Sequence, residues 1–298
     1  MAPGFCLGLG IYPKKPAYGI RLKKTGKECL PLDIFGYAFM QRALLAGILI
    51  GSLCAVVGIY VVLRGLSFMG AGISHAAFGG VALGYLLKID PVLTSIFFCI
   101  CSGLGIAVIS KKSSMKEDTA IGIFFASTMA FGILLIGLMK GSNVDLFGYL
   151  FGNILAVTST DLFMTILVEG VVLFFIFYYY KELLFLVLDS EMAEVSGIPV
   201  TPLYYLLIAL IALTVVISIK VVGIVLVSAL LVIPSATALQ LTDRLSKAMI
   251  LAVVLGVGSC LGGLFLSYLF DTPSGATIVL TAGGLFILAS IFSPRKQR

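Results

Sequence analysis

GAGISHAAFGGVALGYLL, residues Gly70–Leu87, is the stretch around which the rest of the chain is arranged. It is apolar apart from Ser74, His75 and Tyr85, and His75 is the only histidine in 298 residues. Gly72, Ala76, Gly80 and Gly84 recur at every fourth position. On a helix they make one side of small residues, against which a second backbone can approach closely. His75 and Gly79 fall on the strip beside that side. The stretch therefore reads as a helix within a membrane that carries a metal-type ligand next to a tight helix–helix seam. A polar group at such a depth is costly unless it has a partner or a task.

Composition agrees with a membrane setting. Hydrophobic residues make up 60% of the chain and charged residues 11%, whereas a soluble domain carries about 25% charge. The chain reads as an all-α polytopic membrane protein, with nearly its whole length in the bilayer. Thirty-three glycines suit closely packed helices, and without tryptophan the interfacial anchors must be tyrosine, lysine and arginine. A net charge of +6 is explained by loops facing the cytoplasm and calls for no nucleic-acid partner. The six cysteines (Cys6, Cys29, Cys54, Cys99, Cys101 and Cys260) form no disulfide framework. Cys99 and Cys101 are two apart, so a helix points them to different sides and they make a poor ligand pair.

Residues 1–38 differ from the rest. They hold four prolines and six basic residues, with apolar runs too short to span. The basic residues follow the short apolar run instead of preceding it, which is unlike a signal peptide. The segment reads as a flexible N-terminal arm, with Met40 as a candidate later start. The membrane part is then 39–298. Runs of spanning or near-spanning length follow at roughly 43–63, 72–87, 92–110, 119–139, 160–180, 203–219, 221–241, 248–270 and 276–293. This gives about nine spans, with eight as the alternative. The tract 144–159 is apolar but short and contains Asp145 and Asn153, so a surface or re-entrant helix is expected. Gly223 and Pro234 predict a kink or break in the seventh run.

Nine crossings put the two ends on opposite sides. One set of connections holds Arg64, Lys111, Lys112, Lys116, Lys181, Arg244, Lys247, Arg295, Lys296 and Arg298; the other holds Lys88, Lys140 and Lys220. The richer set, with the C-terminus, is expected in the cytoplasm. The first 42 residues carry seven basic residues and would remove this asymmetry if they were counted. Internal loops are the better guide.

The longest internal connection is 181–202, KELLFLVLDSEMAEVSGIPVTP. Asp189 or Ser190 can cap a short helix with Glu191 in its first turn. Gly197 can end it, and Pro199 and Pro202 stop its propagation. A short helix lying along the cytoplasmic surface is expected. Glu191-Met192-Ala193 followed by Gly197 resembles the coupling-helix signature of ABC importer permeases. Three further stretches resemble one branch of them, the zinc/manganese/iron permeases: LRGLSFMGAGISHAAFGGVALG (Leu63–Gly84), KEDTAIGIFFAS (Lys116–Ser127) and GIVLVSALLVIPSATA (Gly223–Ala238). The likeness runs from about Met40 to Pro294. It departs at Ala71, where many manganese-type relatives carry an aspartate before the histidine helix. The resemblance implies the plan of the cobalamin and siderophore permeases without their first helix.

Several residues are candidates for chemistry. A neutral imidazole at His75 can bind zinc, manganese or iron, and a transport route requires coordination weak enough to release. The bland alternative is a ring bonded to a backbone carbonyl across the seam. Glu117 and Asp118 begin the fourth run; they are either helix-capping acids or a cation exit or partner contact. Asp145, Asn153, Asp161 and Asp271 are expected at the outer surface. Glu169 lies inside the fifth run and should face the bundle interior or be protonated. Cys54, Ser74, Ser228 and Ser235 are candidate route-lining residues. Asp189, Glu191, Ala193 and Gly197 are the candidate ATPase-coupling residues that the resemblance implies.

No GxxxxGK[ST] phosphate loop occurs, so a Walker mechanism is excluded for this chain. HExxH, GxSxG and paired intramembrane aspartates are also absent. The resemblance implies a transport subunit with no catalytic residue and no permanent cofactor. Its cargo would be a divalent transition metal, and ATP would be handled on a partner subunit. The implied partners are a second copy, a cytoplasmic ABC ATPase, an extracytoplasmic metal-binding protein and the lipid bilayer. The location expected is the cell membrane. Two alternatives stand: a secondary transporter driven by an ion gradient through Glu169 or Asp161, and a membrane assembly factor with no transport role.

Overall fold

A computed structural model of the chain describes residues 38–113, 115–139, 152 and 154–292. The expected N-terminal arm, apart from Ala38, and the greater part of the 144–159 tract, including Asp145 and Asn153, lie outside the described residues.

Nine described helices are long and apolar enough to cross a bilayer. They are α1 (Ala38–Leu63), α2 (Met69–Leu87), α3 (Pro91–Lys112), α4 (Glu117–Leu138), α5 (Ser159–Tyr178), α8 (Val200–Val222), α9 (Ile224–Leu241), α10 (Leu245–Phe270) and α11 (Ser274–Ile291). Two shorter helices, α6 (Tyr180–Leu188) and α7 (Ser190–Val195), stand between α5 and α8. The described residues therefore hold nine candidate spans, each within a few residues of its apolar run. The connections are short because the caps are encoded locally. Asp90 caps α3, accepting from the amides of Val92 and Leu93, with Pro91 in the first turn. Thr158 and Asp161 cap α5 reciprocally. Lys88 ends α2 in a left-handed conformation, φ 56°.

α1 and α8 are the most enclosed helices, and α11 is the most exposed. On one side α2 packs on α3 and α4, and α3 packs on α8. On the other side α1 packs on α9 and α10, and α9, α10 and α11 pack on one another. Glycine decides how closely these helices meet. A Cβ at Gly58 of α1 would collide with the Leu231 carbonyl of α9, and one at Gly51 would lie 3.1 Å from the Gly256 carbonyl of α10. Several buried hydroxyls are satisfied by their own helices, which suits a medium without water. Thr214 bonds the Leu210 carbonyl, Thr237 that of Ile233 and Ser259 that of Leu255.

The expected break near the seventh run is present, and two other expectations, for Lys220 and for 181–202, need correction. The break near the seventh run falls at Gly223, φ 84°, and α9 continues as helix through Pro234. Lys220 is accordingly in the last turn of α8 and not in a loop. A Cβ at Gly152 would collide with Val222 and Gly223, so this corner is closely covered. The second correction concerns 181–202, which is mostly helical instead of one short helix in a connector. α6 buries Leu183, Leu186 and Val187 on one side, and that apolar spacing holds it against the bundle.

Candidate functional site

His75 lies one and a half turns into α2, and its ring meets the edge of Phe125 on α4 at 4.4 Å between centroids. The two helices run parallel: Gly72 faces Ile121 and Gly79 faces the Thr128 carbonyl. A Cβ at Gly80 would lie 2.6 Å from the Cα of Ser95, and one at Gly84 would collide with Thr94. The small side read from the sequence is thus a real seam, shared between α3 and α4. Side chains of α3 reach across it to α2. Ser95 donates to the Ala77 carbonyl at 3.0 Å and Cys99 to the Ile73 carbonyl at 3.5 Å.

The imidazole of His75 is half-buried. Among the described residues it has no hydrogen-bonding partner, so no carbonyl across the seam holds it. Ser74 beside it is fully buried and its hydroxyl is also unpartnered. Among the described residues no three His, Cys, Asp or Glu side chains gather closely enough to hold a metal ion. His75, Glu117 and Asp118 are therefore not brought together in one chain. Phe125 stands eight residues beyond Glu117 on α4, about 12 Å along the helix.

Glu117 belongs to a different place. It accepts a hydrogen bond from the Tyr204 hydroxyl at 2.8 Å, while Asp118 is exposed. Arg64 lies over the Tyr204 ring, 5.6 Å from its centroid. Lys111 Nζ donates to Thr201 Oγ1 at 2.7 Å. These residues line a polar cavity of about 420 Å3 together with Ser190, Glu191 and Glu194 of α7. Of the expected coupling residues, Glu191 lines this cavity, and the other three shape the helix that carries it. Asp189 caps α7 through the amides of Glu191 and Met192, Ala193 is fully buried, and Gly197 follows at φ 79°. The Ile198 amide returns to the Ala193 carbonyl, closing the helix end. Met192 and Val195 are 58% and 85% exposed, which leaves apolar side chains bare outside the spans.

The remaining candidates are dispersed. Glu169 does face the interior: it is 7% exposed, and its Oε1 accepts from Ser52 at 3.0 Å while Oε2 has no partner. Asp161 pairs with Lys220 at 2.8 Å. Asp271 is exposed and ends α10 with φ 51°. Cys54 lies 3.8 Å from Ser218. Ser235 donates to the Ala55 carbonyl and Ser228 to the Ile224 carbonyl. Sequence reasoning did not single out Tyr204, Thr201 or Lys111 as functional residues. Tyr204 is separated from Glu117 by 87 positions, and no local spacing reports such a contact.

The profile of the ABC 3 transport family matches residues 36–293. The chain is 43% identical over 264 residues to the manganese transport system membrane protein MntC of Halalkalibacterium halodurans, covering 89% of this chain and 90% of that one. It is 39% identical over 261 residues to the manganese import system permease protein ScaB of Streptococcus gordonii, covering 88% and 94%. Among solved structures, PsaBC from Streptococcus pneumoniae in complex with Fab superimposes with a TM-score of 0.80 at 38% identity. That match covers 90% of this chain and 96% of the other.

Proposed function

The chain belongs to the ABC 3 transport family, and on that premise we propose that it is the permease subunit of an ATP-driven importer of a divalent transition metal. Manganese is the first candidate, since relatives so similar are named for it; zinc and iron are the alternatives. One observation carries the ATP-coupled role. A capped surface helix, Ser190–Val195, exposes Met192 and Val195 at the end of the bundle where Arg64 and Lys111 gather. Exposed apolar side chains at a polar end favour a protein partner. That partner is a cytoplasmic ABC ATPase, which places this end and the C-terminus in the cytoplasm.

The working unit is a homodimer. One chain offers a single imidazole and no cluster of further strong ligands among its described residues. A second copy brings a second His75 to the route. Delivery to the opposite face falls to an extracytoplasmic metal-binding protein. Movement of α7 on the ATPase then rocks the two permeases and alternates access to the route beside His75. A single weakly held position suits release as much as capture.

The test is reconstitution. Permease and cognate ATPase in proteoliposomes should take up manganese only with ATP and delivered metal, and zinc or iron added in competition ranks the three cargoes. Uptake that persists without the ATPase and follows an ion gradient would replace this role with the carrier alternative, for which Glu169 is the buried acid available.

A further inference from the structure

The residues that enclose the polar cavity come from three separate stretches of the sequence, yet one chain of contacts joins them. α7 is followed after only four residues by α8, and two of those four are Gly197 and Pro199. The first turns of α8 carry Thr201, bonded to Lys111 at the end of α3, and Tyr204, bonded to Glu117 at the start of α4. Tyr204 is 7% exposed, and the guanidinium of Arg64, at the end of α1, covers its ring. Glu117 stands on the same continuous helix as Ile121, Phe125 and Thr128, the residues that face Gly72, His75 and Gly79. A helix is stiff over two turns, so a displacement of its first turn is carried to Phe125.

We infer that the Tyr204–Glu117 hydrogen bond is the link by which movement of α7 reaches the helix pair that holds His75. This inference rests on the permease role proposed above and assigns positioning residues to it. Tyr204 and Glu117 touch neither cargo nor ATP. Arg64 steadies the Tyr204 ring through its charge over the π face. The bond has the features that such a link needs. It is short, it is made to a carboxylate, and it joins the helix directly after the ATPase-facing segment to the helix that buttresses the imidazole. Glu117 is thereby given a mechanical role in place of cation handling. Asp118, its exposed neighbour, has no such bond.

The experiment measures manganese taken up per ATP hydrolysed by the permease–ATPase complex in proteoliposomes. Tyr204→Phe keeps the ring and the Arg64 contact but removes the donor. The expected result is continued hydrolysis with at least a threefold lower uptake per ATP. Glu117→Ala should behave in the same way, and Tyr204→Phe combined with Glu117→Ala should be no worse than either alone. Glu117→Gln keeps an acceptor oxygen and should restore most of the ratio. Loss with Glu117→Gln as severe as with Glu117→Ala would mean that the charge handles the cation, which overturns the link. An unchanged ratio in Tyr204→Phe, with or without a lower melting temperature, also overturns it and leaves the permease role standing. Absence of ATP-driven uptake in the wild-type complex would refute that role itself and the link with it.

Discussion

Asp161 and Lys220 meet at 2.8 Å between Oδ1 and Nζ, tying the first turn of α5 to the last turn of α8. Asp161 does a second job at the same time. Its other oxygen accepts from the amide and hydroxyl of Thr158, closing the cap of α5. One carboxylate thus fixes a helix start and holds a neighbouring helix end, three residues before the Gly223 corner.

The two jobs separate by mutation. Lys220→Met removes only the ion pair, and the two side chains are 36% and 17% exposed. Pairs with that access to solvent contribute about 0.2–1 kcal/mol. Asp161→Ala removes the pair and one half of the capping box, so it should cost about 1 kcal/mol more. Melting of the detergent-solubilised permease checks this. Equal shifts for the two variants would show that the cap contributes nothing.

The seam along α2 makes a sharper prediction. A Cβ at Gly80 would press on the backbone of Ser95, which cannot rotate away. Gly80→Ala should force α2 and α3 apart at a cost of about 1–3 kcal/mol, the usual range for overpacking. Gly284 on α11 has nothing within 4 Å of the same position. Gly284→Ala should leave stability unchanged or raise it slightly. Thermal melts of the pair check the contrast, and equal behaviour would remove the seam as a constraint.

Gly197 tests the surface helix. Its φ is 79°, and nothing lies within 4 Å of a Cβ built there. The obstacle to a side chain is therefore conformational and not steric, about 1–2 kcal/mol for an ordinary L-residue. Gly197→Leu should loosen the end of α7, leave the spans folded and reduce copurification of the ATPase. Gly197→Asn tolerates the left-handed region better and should lose less. Pull-down of the ATPase with each variant decides. Equal capture by both would show that the turn does not matter for docking.

His75 is the variant of greatest consequence for transport. It has a ring contact with Phe125 and no hydrogen bond among the described residues, so His75→Ala leaves no partner stranded. Melting temperature should change little, while metal uptake should fall at least tenfold. Acidification is a separate handle. Protonation occupies the lone pair that binds metal, so wild-type uptake should decline on acidification. Uptake near wild type in His75→Ala would remove the histidine from the route.

Much of this molecule is local in origin, and the local parts were legible. The apolar runs are long enough to be spans whatever they pack against, because a bilayer leaves a backbone few choices but a helix. Asp90-Pro91, Thr158 with Asp161, and Asp189 with Gly197 mark helix ends within a few residues of themselves. α6 was missed because KELLFLVL is too short to span and sits in a connection. Its stability comes from the bundle that Leu183, Leu186 and Val187 pack against, and that bundle is not written in those eight residues.

By itself the sequence determined the apolar runs that become spans, the position of the surface helix and the small side of α2, and it marked Glu169 as an acid within a span. Each follows from the composition of one stretch and the medium around it. Only the tertiary structure decided which helices share the seam, that His75 meets Phe125, that Lys220 reaches Asp161, and that Glu117 answers to Tyr204 and not to a metal cluster with His75. These are contacts between distant segments. They are set by the mutual packing of helices whose apolar surfaces are nearly uniform, so no spacing within one helix reveals its partner.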